Sequence, residues 1–333
     1  MTEPDQAFDG TYGPSVALGA IFLGSYLCDL ETDLDRNGRM RTAVGDQIAA
    51  YHEAFADDAN APTLPETPTT AALLATLPKD WPLDVRTTFL IDLLFTLPFS
   101  PAELKFKDAK RVDALYQVAD HIGIGNQIVD ELRELQESAT KAHRHVKVGK
   151  IAFMAGGGML LLALTAGAAA PFVAGAIGAA AGLAGAAALA HGLAVLGLGS
   201  LAAGGFGMAG GIWIVTGAGA VVGALGGSAA GALVQLGPVT ARQELIKLQV
   251  TTVAVGINLA KREQILRAEQ HSQSHSPSHV LGKLASERDE VRARIDDALK
   301  RNEDDAHVVE DLRAIEQAMT DAMTWISEQI TAA

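Results

Sequence analysis

Between residues 151 and 236 the chain runs for 86 residues without one Lys, Arg, Asp or Glu, and His191 is the only titratable side chain among them. A helix needs about 20 apolar residues to cross the hydrocarbon core of a bilayer, so a block of this length can supply roughly two to four crossings. The block is also rich in small residues: 23 of the chain's 34 glycines fall between Gly156 and Gly237, interleaved with alanine. Any fold for this chain has to place that segment first.

Basic residues flank the block on both sides. Lys141, His143, Arg144, His145, Lys147 and Lys150 precede it, and Arg242, Lys247, Lys261 and Arg262 follow it. Lys and Arg beside membrane ends favour the cytoplasmic face, so both flanks are expected there and the number of crossings is expected to be even. Breaks at Ala170-Pro171, His191-Gly192 and Gly204-Gly205 divide the block into four spans near 151–169, 172–190, 193–209 and 212–236. Two crossings with a re-entrant or interfacial middle segment fit almost as well.

The remaining composition narrows the function classes. Net charge is −13 while mean hydropathy is positive. The apolar residues gather in the middle and the acidic ones in the two flanking regions. Phosphate recognition needs clustered Lys and Arg, so nucleic acid is not an expected partner. Cys28 is the only cysteine, which excludes an internal disulfide and a multi-cysteine zinc site. The first nine residues are acidic where a secretory signal is basic, and the apolar run 16–27 lacks a small-residue cleavage site, so the N-terminal region is expected in the cytoplasm.

Residues 14–136 are expected to form a helical domain within a region spanning 1–140. Helices are predicted near 14–30, 40–55, 70–77, 83–97, 101–122 and 124–144, with a polar turn from Asp33 to Gly38 and a Pro/Thr-rich loop over 57–68. Phe89, Leu90, Leu93, Leu94 and Leu97 recur at helical spacing, as do Leu104, Val112, Leu115, Val118, Ala119 and Ile122. The run Phe89-Leu90-Ile91-Asp92-Leu93-Leu94, then Glu103, residues 112–121 and Gly123-Ile124, resembles the second half of the tellurite-resistance TerB-like helical domain. In the first half, the turn at Asp35–Gly38 stands where that family has an acidic Asp-Gly turn. Leu97-Pro98-Phe99 replaces the matching pair in the second half. By this resemblance alone, the domain implies a stress or defence context.

Beyond the membrane region, taken as 148–238, residues 239–333 are expected to form cytoplasmic amphipathic helices. One runs over 239–269 and a Ser/His linker follows at 271–279. Two more, near 280–301 and 304–331, place Leu284, Val291, Ile295, Leu312, Ile315, Met319, Ile326 and Ile330 near heptad spacing, which predicts an antiparallel hairpin or short coiled coil.

Several motifs carry candidate chemistry. Gly219, Gly223, Gly227 and Gly231 recur every fourth residue, and Gly178 and Gly182 begin a second such face with Ala186 and Ala190. Small residues at this spacing let lipid-embedded helices approach closely, either as a passive anchor or as a bundle that oligomerises. The stretches 165–173 and 199–211 resemble the glycine-rich membrane segments of transmembrane-and-coiled-coil proteins; the hydrolase region of that family has no counterpart here.

Asp33, Asp35 and Asn37, with Gly38 in sixth place, look like the opening of a calcium loop, but Val44 occupies the twelfth position where a bidentate Glu is needed. A capped turn is the simpler reading. His271, His275 and His279, four residues apart, would share a helical face suited to zinc or acid sensing; Pro277 and the intervening serines favour a linker. His191 marks either a turn at the membrane surface or a pH-sensitive gate.

No phosphate loop, nucleophile elbow or metalloprotease motif occurs, and no enzymatic activity or cofactor is expected. The expected protein is therefore all-α and integral to the inner, cytoplasmic membrane, multi-pass with both termini cytoplasmic. It has a cytoplasmic helical domain, a Gly/Ala-rich transmembrane bundle and a C-terminal helical hairpin. Its partners are expected to be the lipid bilayer, further copies of itself and a cytoplasmic protein. The leading function is a non-enzymatic effector that oligomerises and permeabilises the membrane. A membrane-anchored scaffold, and a soluble pore-forming protein sheltering a hydrophobic hairpin, are the alternatives.

Overall fold

A computed structural model describes residues 12–55, 61–99, 102, 104–143, 229–259, 277–300 and 306–332. Their regular structure is entirely helical, so the chain is all-α as expected. No described helix is long and apolar enough to cross a membrane. The spans proposed for 151–228 lie outside the described residues. By contact, the described residues divide into two compact units, one over 12–131 and the other comprising 132–143 with 229–332.

In the first unit, helix α1 (Tyr12–Asp29) is buried on every side from residue 14 to residue 24. A helix apolar all round must be enclosed by others, and α1 packs against α2 (Leu34–Ala54), α3 (Thr70–Ala75), α4 (Leu83–Phe95) and α5 (Asp108–His121). Two glycines set its close approaches. A Cβ on Gly19 would lie 2.7 Å from Leu93 Cδ2, and one on Gly24 would lie 2.7 Å from the Pro98 carbonyl oxygen. Helix α4 is equally central, with residues 87–95 all buried.

Two boundaries differ from expectation. The turn predicted at Asp33–Gly38 is instead the start of α2: Asp33 caps it, Oδ1 accepting from the Arg36 N–H at 2.8 Å, and the helix begins at Leu34 rather than at 40. Asn37 fastens this first turn by donating to the Cys28 and Glu31 carbonyls at 2.9 and 3.0 Å. Polar, turn-favouring residues here serve as a cap. Helix α5 starts at Asp108 and not at 101: residues 104–107 carry no regular structure, Lys107 is extended, and Arg36 donates to the Lys105 carbonyl at 2.6 Å.

Helix α5 ends in a Schellman turn. Gly123 takes φ +71°, the Ile124 N–H reaches the Ala119 carbonyl at 2.7 Å, and the Gly123 N–H reaches that of Asp120 at 3.1 Å. Helix α6 (Asn126–Ala142) follows.

The second unit is built around α7 (Ala229–Val253), which continues into a π-helical turn (Ala254–Leu259). Residues 244–255 are buried on all sides. Around α7 pack α8 (Pro277–Lys300) and α9 (Ala306–Ala332). The latter two form the expected hairpin, tied across its length by the Arg292–Glu316 ion pair. Residues 132–142 of α6, assigned from sequence to the N-terminal domain, group with these helices; Trp325 Nε1 donates to Ser138 Oγ at 3.1 Å.

Helix α7 runs straight through Gly237 and Pro238, although Pro238 supplies no N–H to the carbonyl four residues earlier. Burial of the following turns outweighs that loss. Helix α8 begins at Pro277, not 280, with proline in the first position, where its missing N–H costs nothing.

Candidate functional site in the second unit

The sites anticipated from sequence are distributed as follows. Asp33 is a helix cap, while Asp35 and Asn37 lie within the first turns of α2. The alternate-position oxygens of a calcium loop are therefore not assembled, and no cluster of His, Cys, Asp and Glu suited to a metal occurs among the described residues. His279 belongs to the first turn of α8, whereas His271 and His275 lie outside the described residues, as do His191, Gly178, Gly182, Gly219, Gly223 and Gly227. Gly231 falls within α7.

A different set of residues comes together where the chain enters and leaves the uncharged block. His143, immediately after α6, is fully buried, and its Nε2 lies 2.7 Å from Oε1 of Gln249, itself fully buried on α7. Arg242 lies seven positions before Gln249 and so shares its face of α7. Asp321 on α9 acts electrostatically on both His143 and Arg242. Its Oδ1 accepts from Gln317 Nε2 at 2.8 Å. Among the described residues, buried His143 Nδ1, Gln249 Nε2, Arg242 Nε and Asp321 Oδ2 find no hydrogen-bond partner. Such atoms are few in folded proteins and each is costly.

The same stretch of α7 buries Glu244 and Lys247, and Thr251 and Thr252, whose hydroxyls donate to the carbonyls of Lys247 and Leu248 at 3.0 and 2.7 Å. Lys247, one of the basic flank expected on the cytoplasmic side, is enclosed in the helical unit.

Electrostatics follows from this burial. Loss of water pushes the His143 imidazole below its ordinary value; the Gln249 bond and Asp321 oppose that shift and Arg242 adds to it. Arg242 is likewise lowered by burial, against Asp321. The chemistry on offer is proton uptake by a neutral imidazole. Comparison of the chain with protein-family models, curated proteins and solved structures gave no match.

Other features carry less. The Cys28 thiol is buried and pushed up to about 11, far from a thiolate nucleophile. A groove of about 690 Å³ between α8 and α9, lined by Arg288, Thr320, Met323, Ser327 and Glu328, is wide open to solvent. His143, Arg242 and Lys247 were all visible in the sequence as members of basic flanks. The burial of His143 and Lys247 and the half-burial of Arg242 were not, because α7 shows no amphipathic stripe: an enclosed helix has no polar face to reveal its orientation.

Proposed function

We propose that this chain is a non-enzymatic membrane effector whose uncharged, glycine-faced block enters the lipid bilayer, assembles with further copies and permeabilises the membrane. The observation that supports this reading best is the contact between His143 and Gln249, which stand 106 positions apart on either side of the block. The described chain on either side of the block, at 132–143 and from 229 onward, belongs to the same helical unit. A membrane segment held in this way has both ends on one face, which agrees with an even number of crossings and with both termini in the cytoplasm.

The glycine spacing supplies the second part of the proposal. Gly219, Gly223, Gly227 and Gly231 offer a surface along which helices in lipid pack closely. Helix α7 begins inside the block at Ala229 and reaches the core of the second unit without interruption. Rearrangement of the block is thereby coupled to the helices that a cytoplasmic partner would contact. A stress or defence setting is proposed from the TerB-like resemblance of the N-terminal helices.

Induced expression with a membrane-potential dye tests the reading. Depolarisation is expected, and it is expected to vanish in the Gly223→Leu, Gly227→Leu double variant. A polarised membrane with the protein in the carbonate-resistant pellet would instead support an anchored scaffold, and release by carbonate would support a sheltered hairpin. Single cysteines at positions 145 and 262, in a Cys28→Ala background, are expected to label from the same side of the membrane. Labelling from opposite sides would overturn the topology.

A further inference from the structure

The hydrogen-bond pattern around His143 fixes its tautomer. Gln249 Oε1 is a carbonyl oxygen and can only accept, so the ring carries its hydrogen on Nε2 and leaves Nδ1 bare. Among the described residues, buried Nδ1 meets no donor, and buried Asp321 Oδ2 meets none either. Among the described residues, the charges acting on the ring come from both helices packed here: Asp321 on α9 favours a proton and Arg242 on α7 opposes one.

We infer that His143 is a proton-operated latch: as a neutral ring it ties the end of α6 to α7 through Gln249, and a proton taken from solvent at Nδ1 opens that tie. A second N–H on the ring finds no acceptor in place, and the imidazolium has been removed from water. The cation gains by moving to solvent. That movement takes Nε2 away from Gln249 Oε1, and the Gln249 amide is then left buried with neither end bonded. The two residues lie on either side of the uncharged block in the sequence, so the latch is one tie between the chain segments that flank it, alongside the Ser138–Trp325 bond. The inference goes beyond the membrane reading and does not rest on it, since the latch is read out within the second unit alone.

Hydrogen exchange of the full-length chain, corrected for the intrinsic pH dependence of exchange, tests it. In the wild type, protection of amides over 139–143 and 247–251 is expected to fall by up to about tenfold between about pH 7.5 and pH 5.5. His143→Gln keeps a polar amide at this position but takes up no proton, and its protection is expected to stay level. Two further variants preserve the test should His143→Gln fold poorly. Asp321→Asn is expected to move the midpoint to lower pH, and Arg242→Gln to higher pH. Equal wild-type protection at the two pH values, or a midpoint that neither charge variant moves, would overturn the latch.

Discussion

Arg86 Nη1 lies 2.7 Å from the Ile122 carbonyl oxygen, so the first turn of α4 closes the end of α5. The converse also holds: Arg111 Nη1, from the first turns of α5, lies 2.6 Å from the Leu94 carbonyl at the end of α4. Two antiparallel helices thus each satisfy the other's terminal carbonyls, where unpaired groups would otherwise be buried. Arg111 is further held by Asp108 at 2.9 Å.

A hydrogen bond from a charged donor contributes about 1.5–3 kcal/mol. Arg86→Met and Arg111→Met are each expected to destabilise the first unit by about that amount. Arg111→Lys should recover little, because one ammonium cannot serve the Asp108 carboxylate and the Leu94 carbonyl together. The urea midpoint, followed by pulsed thiol labelling of the buried Cys28, checks both. Unchanged midpoints would show that the caps are ornamental.

Gly19 and Gly24 separate two kinds of crowding. The atoms facing Gly19 are the ends of the Leu93 and Phe89 side chains, whereas Gly24 faces the Pro98 backbone oxygen. Alanine gains up to about 1 kcal/mol over glycine in a helix interior, and overpacking costs about 1–3 kcal/mol. Gly19→Ala is therefore expected to be near neutral, as the side chains shift. Gly24→Ala is expected to be the more destabilising of the two by at least about 1 kcal/mol, measured by the same labelling midpoint.

Gly38 discriminates between a helix and a calcium-type turn. It lies inside α2 without a positive φ, and a Cβ there would meet nothing within 4 Å. Gly38→Ala is expected to stabilise the unit by about 0.5–1 kcal/mol. A glycine in the sixth position of a calcium loop would give the opposite sign, with a further dependence on added calcium.

The first unit was largely legible in its sequence because its elements declare themselves locally. Periodic leucines mark α4, Val112 to Ile122 mark α5, and Gly123 ends it. The errors fell where side chains act on backbone at a distance. Asn37 reaches Cys28 where a turn was predicted and helix forms, and Arg36 reaches Lys105 where a helix was predicted and the chain is irregular. In the second unit the hairpin α8–α9 was legible from its heptads. The candidate site was not, since it joins His143 to Gln249 and Asp321 across long stretches of chain.

The pH dependence of stability has a definite sign. Burial holds the His143 imidazole below its ordinary value of 6.5, so near and below that pH the unfolded chain binds more protons than the folded one. Stability is then full above about pH 6.5 and declines as pH falls through that value, levelling off below the folded pKa. The slope for one proton cannot exceed about 1.4 kcal/mol per pH unit. His121 is shifted in the same direction by partial burial in the first unit. Thermal melts between about pH 7.5 and 5.5 are expected to show a shallower decline for His143→Gln than for the wild type. Parallel curves would assign the loss to other groups.

The bond between Ser138 and Trp325 also sets a clock. Its partners are 187 positions apart, and at about 5–20 residues per second a ribosome needs roughly 10–40 s to travel from one to the other. During that interval the end of α6 waits for a helix not yet made, while the whole uncharged block has already emerged. The named hydrogen bonds of the first unit, by contrast, all join residues present before the block is translated. On the proposed function, the order of synthesis would give the block its opportunity to find lipid or a neighbouring copy before the second unit is complete.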